Sequence, residues 1–295
     1  MIRKIASVAA KISPIMWMRL RYLIRLKKSL SLKHPQTLNE KILFLSLRSD
    51  TSLWTVCADK YAVRDYVRDV GLSNILIPLL GKYDSVDEIC LDDLPDEFVI
   101  KTNHGCGDVR VIKNERSEKL KQELQVYDRI LKEKYGILEG GLHYQRIKPC
   151  IIVEKKLEND SDKSSSLIDY KIWCFNGKPE FIFVILNRTK KHMDIMLYDK
   201  DWNPHPEYCK FDDHYRQAEL IDPPQNLKEM LDYAEILACP FPEVRADFYN
   251  IKGKIYFGEL TFTSLGGLMT YFSDDFQDLA GSMIKLPVLH TSNTD

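Results

Sequence analysis

The sequence from Val244 to Leu268, VRADFYNIKGKIYFGELTFTSLGGL, decides the predicted fold of this chain. It predicts two strands, residues 244–249 and 255–262, joined by a turn at residues 250–254. Side chains alternate between the two faces of a strand, so each strand collects polar side chains on one face. On that face the first strand places Arg245, Asp247 and Tyr249, and the second places Phe257, Glu259 and Thr261.

A hairpin that joins these two faces would bring one arginine, two carboxylates and a hydroxyl into a small volume. Two close carboxylates raise each other's pKa unless a cation lies between them. Oxygen atoms from Asp and Glu, completed by water and phosphate oxygens, are the ligands that Mg²⁺ prefers. The pattern therefore indicates a magnesium site, and a solvated charged face is the alternative.

The composition is that of an ordinary soluble protein. The 295 residues are 44% hydrophobic and 29% charged, with a net charge of −1, which argues against a dedicated nucleic-acid binder. The seven cysteines are scattered and form no CxxC motif, so neither a zinc site nor a disulfide framework is indicated. A reducing cytoplasm fits this cysteine usage best.

The first 35 residues carry nine Lys or Arg and no Asp or Glu, interleaved with apolar residues. The charges interrupt the apolar stretch too often for a signal peptide. A basic amphipathic segment can lie on an anionic membrane surface. The alternative is a helix that packs on the domain with its basic side in water.

A second motif is a strand, a glycine loop and a returning strand, at residues 98–101, 102–108 and 109–112. Such a flap can donate backbone N–H groups to phosphate oxygens, with Lys101 at its base supplying positive charge. The motif is not a P-loop, because GxxxxGK[ST] is absent. His104 in the loop could be a ligand or base, or a histidine held by structural hydrogen bonds.

The other predicted elements complete an α+β pattern. The capping box of Thr37 and Glu40 begins a helix through residue 45 or 47, and Asp59 caps another. Asn176-Gly177 turns a hairpin. The helix that Asp59 caps is 60–70, and the other predicted helices are 117–135, 227–237 (capped by Asn226) and a stretch after 273. The predicted strands are 75–80, 148–157, 167–175 and 178–186, with a loop at 198–208 and a loose end at 291–295.

In this order the motifs resemble the ATP-grasp superfamily, and within it the TupA-like ATP-grasp family of cell-surface, or capsular, polysaccharide biosynthesis. The resemblance covers roughly residues 36–288. It is carried by TLNEKILFL, ADKYAVRDYV, IPLLGKYDS, FVIKTNHGCGD, IKPCIIVEKKL, DYKIWCFNGKP, VRADFYNIKGKIYFGELTFT and the DWN of residues 201–203. It implies two α+β lobes that enclose a nucleotide. The implied division is a basic N-terminal segment (1–35), a helical or small α/β subdomain (36–95), a first lobe with the phosphate flap (96–157) and a second lobe with the metal site (158–290).

The resemblance also implies roles for single residues. Lys60, Lys101 and Lys171 would contact the phosphates of ATP, and Arg245 would steady the transferred phosphoryl group; the catalytic set is Arg245, Lys101 and Lys171. The flap would be Asn103, His104, Gly105, Cys106 and Gly107, followed by Asp108, whose acid should point away from the phosphates. Glu154 and Leu157 would contact adenine. The Mg²⁺ ligands would be Asp247, Glu259 and Thr261, where Thr261 replaces the asparagine usual in the superfamily.

The implied function is an ADP-forming, Mg²⁺-dependent ligase. It would activate a uronic acid of a polysaccharide or its precursor as an acyl phosphate and join it to an amino acid or another amine. Arg64 and Arg188 are candidate carboxylate-binding residues, or equally surface ion-pair partners. The enzyme would be cytoplasmic and peripheral at the inner membrane face through residues 1–35. A phosphotransferase acting on a sugar hydroxyl and a non-catalytic nucleotide-binding protein are the alternatives.

Overall fold

The computed structural model describes residues 2–288, with side chains from residue 6 onward. The predicted loose end at 291–295 lies outside the described residues. The helices are α1 (Ile2–Ile12), α2 (Pro14–Leu26), α3 (Leu38–Arg48), α4 (Ser52–Ala58), α5 (Val63–Asp69), α6 (Glu118–Leu124), α7 (Val126–Ile130), α8 (Leu227–Ala238) and α9 (Asp274–Met283). The strands are β1 (Leu79–Tyr83), β2 (Glu97–Thr102), β3 (Arg110–Lys113), β4 (Ile151–Lys155), β5 (Asp169–Phe175), β6 (Lys178–Leu186), β7 (Met193–Asp199), β8 (Tyr215–Gln217), β9 (Glu243–Ile251) and β10 (Lys254–Thr261).

The first sheet has four strands in the order β1-β4-β2-β3, all antiparallel. Its apolar face packs on α6 and α7 and forms a core of its own, in which Phe98, Ile100 and Tyr127 are fully buried. The β2–β3 pair is the predicted flap hairpin. Strand β1 also belongs to this sheet, so the sheet begins before residue 96.

The second sheet has six strands in the order β10-β9-β5-β6-β7-β8. Pairing is antiparallel except between β7 and β8. Asn176 and Gly177, both at positive φ, make the tight turn between β5 and β6, as the Asn-Gly dipeptide predicts. One apolar face packs on α8, and the N-terminal helices α3 to α5 share the same core.

A β-bulge in β10 decides which side chains face the site. Tyr256 pairs with Tyr249 and Phe257 with Phe248, but Glu259 then pairs with Asp247, so Gly258 is an extra residue. A Cβ on Gly258 would lie 2.9 Å from the carbonyl oxygen of Asp247, which only glycine avoids. Phe257 therefore lies on the face opposite Glu259, and the prediction that they share a face is wrong.

The N-terminal part is fixed by local capping and by packing on the C-terminal helix. The capping box is confirmed: the Thr37 side chain accepts from the Glu40 N–H, and the Glu40 carboxylate accepts from the Thr37 N–H. The amide of Asn39 bonds both backbone groups of Met269, which ties α3 to the segment before α9. The buried side chains of α3 thereby join the core of the second sheet.

Several predicted elements are displaced. The strand expected at 75–80 is β1, which begins at Leu79, because Pro78 has no N–H to give to a ladder. Asp59 caps a turn by accepting from Tyr61 and Ala62, and α5 starts only at Val63. The helix expected at 117–135 divides at Gln125. The Asn226 side chain binds Gly253 and Glu229 instead of capping α8. Helix α4 and strands β7 and β8 were not predicted.

Candidate active site

Strands β5, β9 and β10 lie side by side and place a cluster of charges on one face. Lys171 is opposite Asp247, and Asp247 is opposite Glu259. Arg245 donates from Nε to Asp247 Oδ1 at 2.7 Å and from Nη2 to Asp247 Oδ2 at 2.8 Å, while Lys171 Nζ binds the same Oδ2. Lys171, Arg245 and Asp247 are buried. The face opposite carries Ala246, Phe248 and Leu260, which anchor the same strands in the core.

Glu259 and Thr261 complete this group, which we call the second-sheet cluster (Lys171, Arg245, Asp247, Glu259 and Thr261). The Thr261 hydroxyl accepts from Arg245 Nη2 at 3.1 Å and donates to Glu259 Oε1 at 3.2 Å. The nearest cations to Glu259 are Arg245 and Lys60, each at 3.8 Å, and its side chain is 39% exposed. Glu259 is therefore the loosely held carboxylate of the cluster.

Both carboxylates stay ionised. Burial by itself raises the pKa of Asp247, but the positive charges of Arg245 and Lys171 outweigh it and hold the pKa below its usual value. Burial also raises the pKa of Glu259, and Lys60, Lys171 and Arg245 together lower it below the usual value in spite of Asp247. Arg245, Lys171 and Lys60 therefore supply the positive charge that two close carboxylates need in order to stay ionised.

The donor set fits Mg²⁺. The described residues contain no group of three or more His, Cys, Asp and Glu arranged as a closed metal site. Mg²⁺ needs fewer protein ligands than such a site provides, since one or two carboxylates together with water and substrate phosphates complete its coordination shell. Asp247 Oδ1 accepts from Arg245 and Glu259 Oε1 accepts from Thr261, which leaves a lone pair on each oxygen.

The first sheet carries a separate buried group, the first-sheet triad of Arg64, Lys101 and Glu154. Lys101 on β2 lies 2.6 Å from Glu154 Oε2, and Arg64 on α5 lies 3.4 Å from Glu154 Oε1. Arg64 also donates to the carbonyl of Ile77 at 2.9 Å. These contacts hold Arg64 in the interior, whereas the other candidate for carboxylate binding, Arg188, is 44% exposed and bonds Asp169 at 2.6 Å.

The loop after β2 is fastened at its start. The Asn103 side chain donates to Asp59 Oδ1 at 2.8 Å and to the Lys148 carbonyl, and it accepts from the Cys150 N–H. Asp108 Oδ2 accepts from the Thr102 N–H at 2.7 Å, so this acid is used within the loop. These hydrogen bonds fix the base of the loop, and its glycine-containing tip lies between Asn103 and Asp108.

Lys60 connects the loop to the second-sheet cluster. Its Nζ donates to the Gly105 carbonyl at 2.6 Å and lies 3.8 Å from Glu259 Oε2. Its backbone N–H donates to the Asn103 carbonyl at 3.0 Å. Lys60 is therefore the predicted site residue that joins the two sheets, while Lys101 remains in the first-sheet triad.

The other predicted binding residues differ in their surroundings. His104 is buried, its Nδ1 has no hydrogen-bond partner among the described residues, and burial lowers its pKa. Cys106 is exposed and its Sγ lies 2.8 Å from the Tyr135 hydroxyl. Gly107 has a φ of +85°. Leu157 lies just beyond β4 and is half-buried.

Sequence reasoning missed Ser264, whose hydroxyl accepts from Arg245 Nη1 at 2.8 Å. It lies after β10, where no periodicity places a side chain against the site. It also gave no role to Asp169, which lies two residues before Lys171 on β5. Asp169 lies 3.8 Å from Lys171 and connects it to Arg188.

Comparison with known proteins identifies relatives. A family model described as TupA-like ATPgrasp matches residues 40–285. No curated protein matches the chain. Among solved structures it is similar to a D-alanine–D-alanine ligase from Bacillus anthracis (16% identity, TM-score 0.48, covering 80% of this chain and 68% of that one). It is also similar to the enzyme from Helicobacter pylori (19%, 0.41, 79% and 60%) and to an ADP complex of the N5-carboxyaminoimidazole ribonucleotide synthetase PurK (13%, 0.42, 72% and 46%).

Proposed function

Because this chain belongs to the TupA-like ATP-grasp family, we propose that it is a ligase that joins a sugar acid to an amine at the expense of ATP. Family membership confirms the predicted α+β ATP-grasp fold, the enzyme class and the use of ATP and Mg²⁺. The sugar acid is proposed to be a uronic acid of a cell-surface polysaccharide or its precursor, and the amine an amino acid. The observation that carries the proposal is the pairing of Asp247 with Glu259 between Lys171 and Arg245.

The proposed reaction has two steps. A carboxylate oxygen of the acid bonds to the γ-phosphorus of ATP, the bond to the bridging oxygen breaks, and ADP leaves. The amine then attacks the acyl carbon and loses a proton as phosphate departs, which gives the amide. Phosphoryl transfer needs alignment and charge neutralisation rather than covalent help from the protein.

The residues of the cluster have matching tasks in this proposal. Lys60 and Lys171 bind phosphate oxygens, together with Lys101 of the first-sheet triad, and Arg245 aligns the acid with the γ-phosphoryl group. Asp247, Glu259 and Thr261 would hold Mg²⁺, which supplies further neutralisation of the triphosphate when bound. Glu154 and Leu157 are proposed to contact adenine.

The glycine loop, residues 103–107, is proposed to cover the phosphates. Its backbone N–H groups can donate to phosphate oxygens, and closure excludes the water that would hydrolyse an acyl phosphate. The Lys60 bond to the Gly105 carbonyl supports this, since it draws the loop toward the second-sheet cluster.

The proposal is tested by incubating the protein with ATP, Mg²⁺ and a panel of uronic acids and amino acids, followed by mass spectrometry of the products. A condensed product and ADP release that needs both the acid and the amine are expected. Release with a sugar alcohol alone would instead identify a phosphotransferase. Nucleotide binding without turnover on any pair would identify a non-catalytic protein.

We also propose that the enzyme is cytoplasmic and that residues 1–35 hold it against an anionic lipid surface. Helices α1 and α2 leave an apolar stripe in contact with solvent, while Met18 and Tyr22 pack α2 on the protein. The stripe is Val8, Ile12, Met16, Leu20, Leu23 and Ile24, each 49–79% exposed. A second copy would bring nine like charges, whereas anionic lipid complements them. No helix within residues 2–288 is long and apolar enough to cross a bilayer.

Sedimentation with vesicles tests this surface. Full-length protein should bind vesicles with about 30% anionic lipid and not neutral ones, because the basic residues need a negative surface. Leu20→Ser with Ile24→Ser should abolish binding, while Leu220→Ser, a change at an apolar side chain 63% exposed elsewhere, should not. Equal binding to neutral vesicles, or a dimer that the double variant dissociates, would contradict the proposal.

A further inference from the structure

A cavity of about 300 Å³ lies between α2, the start of α3 and the segment that leads into α9. None of its lining residues belongs to the second-sheet cluster. Its lining combines apolar residues, of which Tyr22 and Phe272 are almost wholly buried and Leu26 is half-buried, with charged side chains. A volume near 300 Å³ is at the lower end for small-molecule sites and suits a single sugar ring.

The mouth of the cavity is positive. Arg25, Lys28 and Lys210 line it together with one acid, Asp274. Asp274 Oδ2 lies 2.7 Å from Lys28 Nζ, and its Oδ1 lies 3.0 Å from Lys210 Nζ. Hydrogen bonds from these two lysines lower the pKa of Asp274, so it balances one of three cations. The mouth therefore favours an anion by electrostatics.

The wall holds a buried donor that the protein leaves unused. Gln277 is 6% exposed, and its Oε1 accepts from the backbone N–H of Asn39 at 2.9 Å. This bond fixes which end of the carboxamide is oxygen. Its Nε2 has no acceptor among the described residues, although leaving such a group unpaired typically costs about 1–3 kcal/mol. An oxygen atom of a ligand would satisfy it.

We propose that this cavity binds a sugar that carries a phosphate or carboxylate group. Lys210, Lys28 and Arg25 meet the anionic group, Gln277 Nε2 donates to a ring or hydroxyl oxygen, and the half-buried side chain of Leu26 covers the apolar face of the sugar. The choice of a sugar rests on the proposed function. The segment from Ser264, which bonds Arg245, to Phe272 connects the cavity to the second-sheet cluster, so the site would hold a part of the acceptor that does not react.

The test measures ligand binding without ATP or Mg²⁺, by calorimetry and ligand-observed NMR on the full chain. The probes are glucuronic acid, glucose 1-phosphate, glucose and inorganic phosphate. At least one of the two anionic sugars should bind with millimolar affinity or better, and glucose and inorganic phosphate at least about fivefold more weakly, because each lacks one half of the recognised chemistry. Equal binding of inorganic phosphate, or no anionic sugar bound at about 10 mM, would overturn the proposal.

Two variants place the binding in this cavity. Gln277→Glu, which keeps an oxygen for the Asn39 N–H and replaces the Nε2 donor by an acceptor, should weaken binding of the anionic sugar about five- to tenfold. Lys210→Ala, at the exposed mouth where folding is not at risk, should do the same and reduce the dependence on salt. Lys200→Ala, an exposed lysine that does not line the cavity, is the control. Unchanged affinity in both cavity variants would refute the site.

The Asp247→Asn variant separates this site from the ligase proposal. It should keep the sugar binding while it loses ATP turnover, because Asp247 does not line the cavity. Loss of sugar binding in this variant, with the fold intact, would move the sugar to the second-sheet cluster and overturn the inference. Sugar binding in a protein without ligase activity would leave the inference standing and remove the proposed reaction.

Discussion

The first-sheet triad and the second-sheet cluster both set a glutamate among positively charged side chains, yet Glu154 and Glu259 are held differently. Glu154 is enclosed by Lys101 at 2.6 Å and Arg64, and only 7% of its side chain is exposed. Glu259 is 39% exposed, with its nearest cations at 3.8 Å. A carboxylate enclosed by short ion pairs exchanges partners less readily than one whose ion pairs are long. Asp247, which is also tightly paired, offers a ligand only its remaining lone pairs. We therefore expect Glu154 to act mainly by holding Lys101 and Arg64 in place beside the proposed adenine contact, and Glu259 to be the carboxylate that exchanges partners.

The largest expected effect comes from removing the negative charge of Asp247, which Arg245 and Lys171 share. Asp247→Asn should lower ATP turnover about 10²- to 10³-fold, because Arg245 and Lys171 lose their common partner and a proposed Mg²⁺ ligand is removed. ADP release with an acid and an amine measures it. Asp278→Asn, at an exposed acid of α9, is the control. Full turnover in a folded Asp247→Asn protein would contradict the assigned site.

Matched substitutions in the two regions test the comparison directly. Glu154→Gln should reduce the free energy of unfolding by about 3 kcal/mol, because it leaves two buried cations without a carboxylate. Glu259→Gln should reduce it by less than about 1 kcal/mol, because its ion pairs are long and partly solvated. Urea unfolding measures both. The opposite order would mean that Glu259 is the structural residue.

Glu259→Gln should nevertheless be the variant that weakens Mg²⁺-dependent ATP binding, by about tenfold, since it removes a proposed ligand. Titration calorimetry with ATP at several Mg²⁺ concentrations measures this. If ATP affinity keeps its Mg²⁺ dependence in the Glu259 variant, the loosely held carboxylate is not a metal ligand.

We expect acid to destabilise the protein first through His143, and not through Glu154 or the carboxylates of the second-sheet cluster. His143 packs against Trp54 and Phe262 where α4 meets β10. Burial, with a smaller contribution from Arg146, lowers its pKa to about 3. The unfolded chain binds this proton near pH 6.5 and the folded one does not, so stability is fully present above that pH and falls as the pH drops toward 3. The expected loss is about 2 kcal/mol between pH 7 and pH 5.

The His143→Phe variant should lose most of that pH dependence in urea unfolding, while His34→Phe, at an exposed histidine, should keep it. An unchanged slope in His143→Phe would assign the acid sensitivity to the paired carboxylates instead.

The smallest expected effect compares one glycine from each region. Gly258→Ala should cost about 1 kcal/mol and reduce turnover, because the new methyl group would meet the Asp247 carbonyl at 2.9 Å. Gly105→Ala should change the free energy of unfolding by less than about 0.5 kcal/mol. Apart from the residues next to it in sequence, the nearest atom to the new methyl group would be Thr102 Oγ1, at an ordinary contact distance of 3.6 Å. Thermal unfolding and ADP release measure the two. Equal effects would show that the bulge does not set the site.

Alternation and turn dipeptides were enough to predict the strands that carry Lys171, Arg245 and Asp247, because each strand is long and one face is apolar. They could not reveal the extra residue at Gly258, since a bulge depends on how the partner strand approaches. Nor could they reveal that Arg64 meets Glu154, or that Ser264 meets Arg245, because these contacts join segments distant in sequence. The cavity beside α2 was likewise hidden, as it depends on how helices pack.

The position of Lys60 has a consequence for the order in which ligands arrive. One ammonium group is shared between the Gly105 carbonyl and Glu259. A divalent ion bound at Glu259 would repel this ammonium and replace it at the carboxylate, so Lys60 would become available to a phosphate under the loop. Cation binding and the contact that holds the loop would then depend on the same side chain, Lys60.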